Sequence, residues 1–225
     1  MSLTLNGTTQ YIKASAAPFT AYPFTLFSYF NPTVANAEQH VFDVCNNTAA
    51  AVNGWRLRAA ATGLVRETVG NGASTSAVST STSYSASTWQ KMTMVGNSAT
   101  SRDVRLNNAG VGSDATNLTP SGIDTCYIGC ANLNTVLSQF FSGSIAHMAG
   151  WDVALTSTEL SMLQAGISPW FVRRGSLKFY LPVWNSTYAL TDMVGTLTWT
   201  AFNTPTYGTD PGIRIPQNFA TMGVF

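Results

Sequence analysis

SGSIAHMAGWDVALTSTELSMLQAG, residues 142–166, decides the architecture. Phe141, Gly143 and Ile145 share one parity while Met148 and Gly150 take the other, so an extended strand changes faces through a β-bulge. Thr156-Ser157-Thr158-Glu159 then reads as a capping box, in which the Thr156 hydroxyl and the Glu159 carboxylate each reach the other's backbone amide. Leu160 and Leu163 make an apolar stripe and Gly166 is a natural C-terminal stop. A helix of about two to three turns is too short to stand alone. The spacing therefore predicts a single helix near 157–165 that plugs a sheet.

Outward from this stretch the chain reads as strands. MSLTLNGTTQYIKA alternates Leu3 and Leu5 with Ser2, Thr4 and Asn6, and Asn6-Gly7 predicts a hairpin before Tyr11-Ile12. FTLFSYFNP places Phe24, Leu26, Ser28 and Phe30 on one face, and in GWRLRAA Trp55, Leu57 and Ala59 alternate with Arg56 and Arg58. WQKMTMVGN sets Trp89, Lys91, Thr93 and Val95 against Met92 and Met94. NGASTSAVSTSTSYSAST, residues 71–88, is low in complexity; a polar strand and loop on an outer sheet is favoured over a flexible linker, because strands flank it closely. Short strands separated by turn signals, with almost no helical periodicity, predict an all-β fold: an antiparallel two-sheet jelly-roll sandwich.

Composition narrows the function classes. Of 225 residues 45 % are hydrophobic but only 9 % are charged, so disorder is excluded and solubility rests on hydroxyls and amides. A net charge of +1 with scattered Lys and Arg argues against nucleic acid and anionic membranes as partners. No signal-peptide pattern and no apolar run of bilayer length is expected. Cys126 and Cys130 lie four residues apart in an extended segment, too far for a disulfide, and with Cys45 they read as small buried hydrophobes.

The ordered set Phe141, Gly143, Ile145, Trp151, Ala154-Leu155 and Thr156 to Gly166 resembles the end of laminin-G-like domains of the concanavalin A-like lectin/glucanase superfamily. LTLNGTTQYIKA resembles the opening strand pair of that family and PFTLFSYFNP its next core strand. STWQKMTMV, DVRLNNAGVG and CYIGC follow in the family's order. The resemblance implies a β-sandwich over residues 1–168. Residues 169–225 are expected to add strands that complete the same sandwich in a permuted-looking arrangement, and to end in an apolar anchoring tail.

The resemblance directs the search for chemistry. Glucanases of this class place catalytic acids at alternate positions on one strand, whereas the closest acids here, Glu38 and Asp43, have four residues between them. Calcium on rim loops is also implied, but Asp103, Asp114 and Asp124 read more simply as turn residues than as its six to eight oxygen ligands. His40 and His147 have no sequence-local nucleophile and read as satisfied or solvent-facing. Trp55, Trp89 and Trp151 fall in strands and are expected to be buried; Trp170, Trp184 and Trp199 lie in the tail segment. No catalytic, cofactor-binding or metal residue is assigned.

The resulting expectation is a non-enzymatic virion structural protein of the tailed-bacteriophage kind, decorating or cementing the outer capsid surface after assembly in the host cytoplasm. Its partners would be the major capsid protein and sister copies in a homo-oligomer, with Phe219, Met222, Val224 and Phe225 as candidate assembly contacts. The alternative is a carbohydrate-binding, receptor-recognition module of a tail or fibre, which requires exposed Trp or Tyr on rim loops or a concave face. A glycoside hydrolase ranks third.

Overall fold

The computed structural model describes residues 1–187 and 189–215, so the candidate contacts Phe219, Met222, Val224 and Phe225 lie outside the described residues. The chain opens with β1 (Ser2–Asn6), β2 (Tyr11–Ala14), β3 (Phe24–Pro32), β4 (Gln39–Cys45), β5 (Asn53–Ala59), β6 (Leu64–Asn71) and β7 (Thr75–Ser83). It continues through β8 (Gln90–Ser98), β9 (Ser101–Leu106), β10 (Ala109–Asp114) and β11 (Thr125–Ile128). A short pair, β12 (Ala131–Leu133) and β13 (Val136–Ser138), leads to the long β14 (Ser142–Trp151). After α1 (Ser157–Gln164) come β15 (Leu177–Leu181), β16 (Trp199–Phe202) and β17 (Thr206–Gly208).

The strands form the expected antiparallel two-layer sandwich. The first sheet runs β10-β9-β8-β3-β14-β1-β17, with β15 on the far half of β14; the second runs β16-β2-β11-β4-β5-β6-β7. Between the layers Leu3, Phe24, Leu26, Phe30, Met92, Met94 and Ile145 of the first sheet meet Ile12, Phe42, Val44, Trp55, Leu57, Val65 and Cys126 of the second. Each of these side chains is essentially inaccessible, and burying a large one contributes about 1.5–3 kcal/mol. All three cysteines are buried free thiols.

Two expectations about connections are met and one is corrected. β14 shifts register against β3 between Ala146 and Ala149, with His147 at φ +51°, which is the bulge read from the parity change. The low-complexity stretch forms β7, paired antiparallel with β6. The opening hairpin, however, does not form: β1 pairs with β14 and β17, and β2 with β11 and β16. The Asn6 side chain accepts from the amides of Thr8, Thr9 and Gln10, turning the chain from one layer to the other. Leu3 and Ile12 then face each other across the core instead of lying side by side.

The helix closes the outer face of the first sheet. The Thr156 amide donates to Glu159 Oε2 at 2.8 Å and the Glu159 amide to Thr156 Oγ1 at 3.4 Å, so the capping box forms. Leu160 and Leu163 pack on Phe27, Tyr29, Ala149 and Trp151, whose indole donates to the Val172 carbonyl at 2.8 Å. Gly166 ends the helix at φ +88°, a conformation that costs a residue with a side chain more. On the second sheet the outer face carries the β12–β13 pair, tied down by Asp43: its carboxylate accepts from Arg56 Nε at 3.1 Å and from the Asn132 amide at 2.8 Å.

Residues beyond 169 join both layers. β15 pairs with β14, β16 with β2 and β17 with β1, so the β16–β17 connection steps from the edge of one sheet to the edge of the other. Its turn is held by Gln10 Nε2, which donates to the carbonyls of Asn203 and Thr204, and by Asn203 Nδ2, which donates to Thr9 O. On the opposite side β7 and β10 close together over Gly112, where a Cβ would collide with the Ser79 carbonyl.

Candidate functional site

A cleft of about 420 Å³ opens on the outer face of the first sheet, where β3 and β8 meet the end of α1 and the segment following β17. Strand parity builds its floor. Tyr29 and Lys91 are directly opposite one another across β3 and β8, and both point away from the core. The Lys91 ammonium lies 4.9 Å from the centre of the Tyr29 ring and donates to the Gln164 carbonyl at 2.9 Å. Trp89, two residues earlier on the same side, forms one wall and is half-buried. The other wall is the strap 211–214, docked where the Arg214 amide donates to Gly166 O at 2.6 Å and the Ser168 amide to Arg214 O at 3.1 Å.

A buried polar chain supports Tyr29 from behind. The His147 ring meets Tyr29 edge-on at 5.5 Å, and its Nδ1 lies 3.0 Å from the Tyr180 hydroxyl. Ser168 Oγ donates to that hydroxyl at 3.3 Å. Tyr180 then donates to His147 Nδ1, which leaves the Nε2 proton facing Asp210 Oδ2 at 3.5 Å. Burial, opposed by Asp210, pushes the imidazole down to about 4, so His147 is neutral at pH 7. Burial likewise pushes the Tyr29 hydroxyl up to about 12. The expectation of a satisfied His147 holds for Nδ1, while Nε2 makes no hydrogen bond among the described residues. His40 is neither solvent-facing nor satisfied: it is fully buried, neither ring nitrogen makes a hydrogen bond among the described residues, and burial together with Arg58 and Arg56 lowers its pKa well below the ordinary value.

The other residues singled out in the sequence lie elsewhere. Trp55 and Trp151 are in the core and Trp199 is 6 % exposed, but Trp89 is not the buried strand residue expected: it sits one residue before β8, where the sheet face gives way to the cleft. Trp170 lies under Arg174, 3.7 Å from ring centre to guanidinium. Trp184 is 63 % exposed and flanks a shallow apolar hollow of about 210 Å³ with Thr191 and Met193. Asp103 binds Arg105 and Ser113, Asp114 binds Arg102, and Asp124 accepts from the Asn47 amide. Among the described residues no group of three or more His, Cys, Asp or Glu side chains is placed to hold a metal ion.

The carboxylates do not converge on a cleft. Glu38 lies against Arg58 at 3.2 Å and Asp43 is spent on Arg56. The pair that does approach is Glu67 and Asp114, on either side of the buried Arg102 guanidinium at 3.7 and 2.5 Å. Burial, opposed by Arg102, pushes Glu67 up to about 8, so it holds its proton at neutral pH. Its sequence signal was present: Val65, Glu67 and Val69 share the inward parity of β6. Tyr29, Lys91 and Arg214 were not identified from sequence, because the strap that delivers Arg214 to the sheet has no periodicity to read.

The family model of laminin G type described as the concanavalin A-like lectin/glucanases superfamily matches residues 6–161. Among solved structures, the chain is similar to the CBM40 module of the Ruminococcus gnavus IT-sialidase bound to α2,3-sialyllactose, at a TM-score of 0.61 and 15 % identity over 72 % of this chain and 96 % of that one. A Bacteroides ovatus protein provisionally assigned to carbohydrate binding matches at 0.62 and 16 % over 93 % of this chain and 61 % of that one. The heptameric SAP-like pentraxin of Limulus polyphemus matches at 0.58 and 16 % over 72 % and 81 %. These likenesses concern the fold. No curated protein sequence matches the chain. The chain belongs to the concanavalin A-like lectin/glucanases superfamily.

Proposed function

We propose that this superfamily member is a non-catalytic carbohydrate-binding module whose glycan lies in the cleft between Trp89 and the 211–214 strap. The observation that carries the reading is the cleft itself, in which two aromatic side chains and two cationic donors converge on a space of about 420 Å³, within the ~300–1,000 Å³ usual for small-ligand sites. A pyranose has an apolar C–H face and a rim of hydroxyls. Trp89 suits the first and the Lys91 and Arg214 donors suit the second. Structural neighbours that include a sialyllactose-bound module support the same class. The non-catalytic part rests on the carboxylates: Glu67 and Asp114 are locked around Arg102 and the cleft wall carries no acid among its described residues.

A glycan array followed by titration calorimetry on the best ligand tests this. Trp89→Ala is expected to weaken binding at least about tenfold while the protein stays folded. Failure of every glycan to bind, or binding unchanged by Trp89→Ala, would refute it. The virion-cement reading is a second proposal, favoured by the 9 % charged composition. It predicts co-sedimentation with empty capsids and self-association, and a strictly monomeric protein that ignores capsids would exclude it.

A further inference from the structure

We propose that the ligand of this cleft is an anionic sugar, with its acidic group held between Lys91 and Arg214. The inference rests on the glycan-binding reading and specifies its chemistry. Its basis is an imbalance of charge in one place. Most basic side chains of the protein have a carboxylate against them: Arg56 has Asp43, Arg58 Glu38, Arg102 Asp114, Arg105 Asp103, Arg173 Glu159 and Lys178 Asp152. Lys13, Arg66 and Arg174 lack one but are occupied by the Tyr127 ring, Ser79 Oγ and the Trp170 ring.

Lys91 also lies over a ring, that of Tyr29, but it and Arg214 are set apart by sharing one cleft. They line the same concavity, and neither has a carboxylate partner among the described residues. Lys91 uses one of its three N–H donors on Gln164 O. The Arg214 backbone is fixed by Gly166 and Ser168, but its guanidinium makes no hydrogen bond or ion pair among the described residues. The nearest acid along the strap, Asp210, is already engaged: Oδ2 takes the Met1 ammonium at 2.9 Å and faces His147, and Oδ1 accepts from the Gly212 amide at 3.0 Å.

The two cations also disfavour each other. Burial and then the nearby Arg214 charge lower the Lys91 pKa, so among the described residues the cleft holds like charge with no acid against it. One negative group between them would remove that repulsion and accept charge-assisted hydrogen bonds from both, the planar Arg214 fork taking a carboxylate or a sulfate ester through two oxygens. Tyr29 beneath and Trp89 beside would hold the sugar ring that carries the group.

The test compares matched neutral, carboxylated and sulfated oligosaccharides by titration calorimetry, on the native chain and on Lys91→Met, Arg214→Met and Arg214→Gln, with circular dichroism to confirm folding. Acidic sugars are expected to bind at least about tenfold more tightly than the neutral parent. Each substitution should remove most of that preference, and raising salt from about 50 to 500 mM should shrink it. The carboxylated and sulfated arms identify which acid fits. If neutral sugars bind as well, with Trp89→Ala sensitivity but no response to Lys91→Met or Arg214→Met, the anionic inference falls and the glycan-binding reading stands. If no sugar of any kind binds, both fall.

Discussion

Two sites on the outer faces of the sheets treat basic side chains in opposite ways. On the second sheet Arg56 is buried with Asp43 at 3.1 Å and Asn132 O at 2.5 Å, and Arg58 lies against Glu38. On the first, where Arg105 is likewise paired with Asp103, Lys91 and Arg214 face a cleft with aromatic and carbonyl neighbours and no carboxylate among the described residues. A guanidinium removed from water must be matched by a carboxylate and hydrogen bonds or it destabilises the fold. A cation left in reach of solvent has no such requirement and is free to meet a ligand. The difference separates charge that holds the sandwich together from charge available for binding.

Substitutions can break or sharpen this contrast. The largest effect is expected at Asp43→Ala, which leaves Arg56 buried without its partner and the β12–β13 pair without its tether. A loss of about 3–5 kcal/mol in denaturant unfolding is expected, and a loss below about 1 kcal/mol would mean that the ion pair is not structural. Glu67 sits between the two cases, buried beside Arg102 with no hydrogen bond to either oxygen among the described residues. Its folded pKa, raised from 4.5 to about 8, means that the native state binds the extra proton, so this residue costs stability as pH rises through that window. Glu67→Gln removes the cost: relative to the native chain it should gain on the order of 4 kcal/mol between pH 4.5 and 8. Melting curves at several pH values would show the two proteins diverging upward from pH 4.5, and parallel profiles would count against a protonated Glu67.

Smaller effects probe the face that carries the cleft. Thr156→Ala removes one side of the capping box and should cost about 1 kcal/mol, with Glu159→Gln, which keeps the reach of the side chain, costing less. Lys91→Met should change stability least, by roughly 0.5 kcal/mol or under, since its charge has no carboxylate to lose among the described residues. A Lys91 variant as damaging as Asp43→Ala would erase the distinction between the two sites.

The sequence was most readable where one local pattern settles the structure. Thr156, Glu159, Leu160, Leu163 and Gly166 specify a start, a buried stripe and a stop within eleven residues, and all five do so in the fold. The parity change before Met148 likewise marked the bulge. Asn6-Gly7 misled because a turn signal says that the chain reverses, not whether the next strand lies beside the last or across the core from it. The cleft was least readable. Tyr29 and Lys91 become neighbours only through β3–β8 pairing across the intervening residues 30–90, and Arg214 reaches them through a backbone strap whose anchors are the carbonyl of Gly166 and the amides of Ser168 and Arg214. Nothing in the side chains of residues 211–214 announces that docking.

The β16–β17 step has a consequence for the solubility of a protein with so little surface charge. A chain cut before Trp199 would uncover the flank of β2 in one layer and of β1 in the other at the same moment, presenting two rows of unpaired amides and carbonyls to other copies. Two short strands, one in each sheet, thus form the edges on this side, and edges this short offer little to strand addition, a protection that other sequences obtain from charged edge residues.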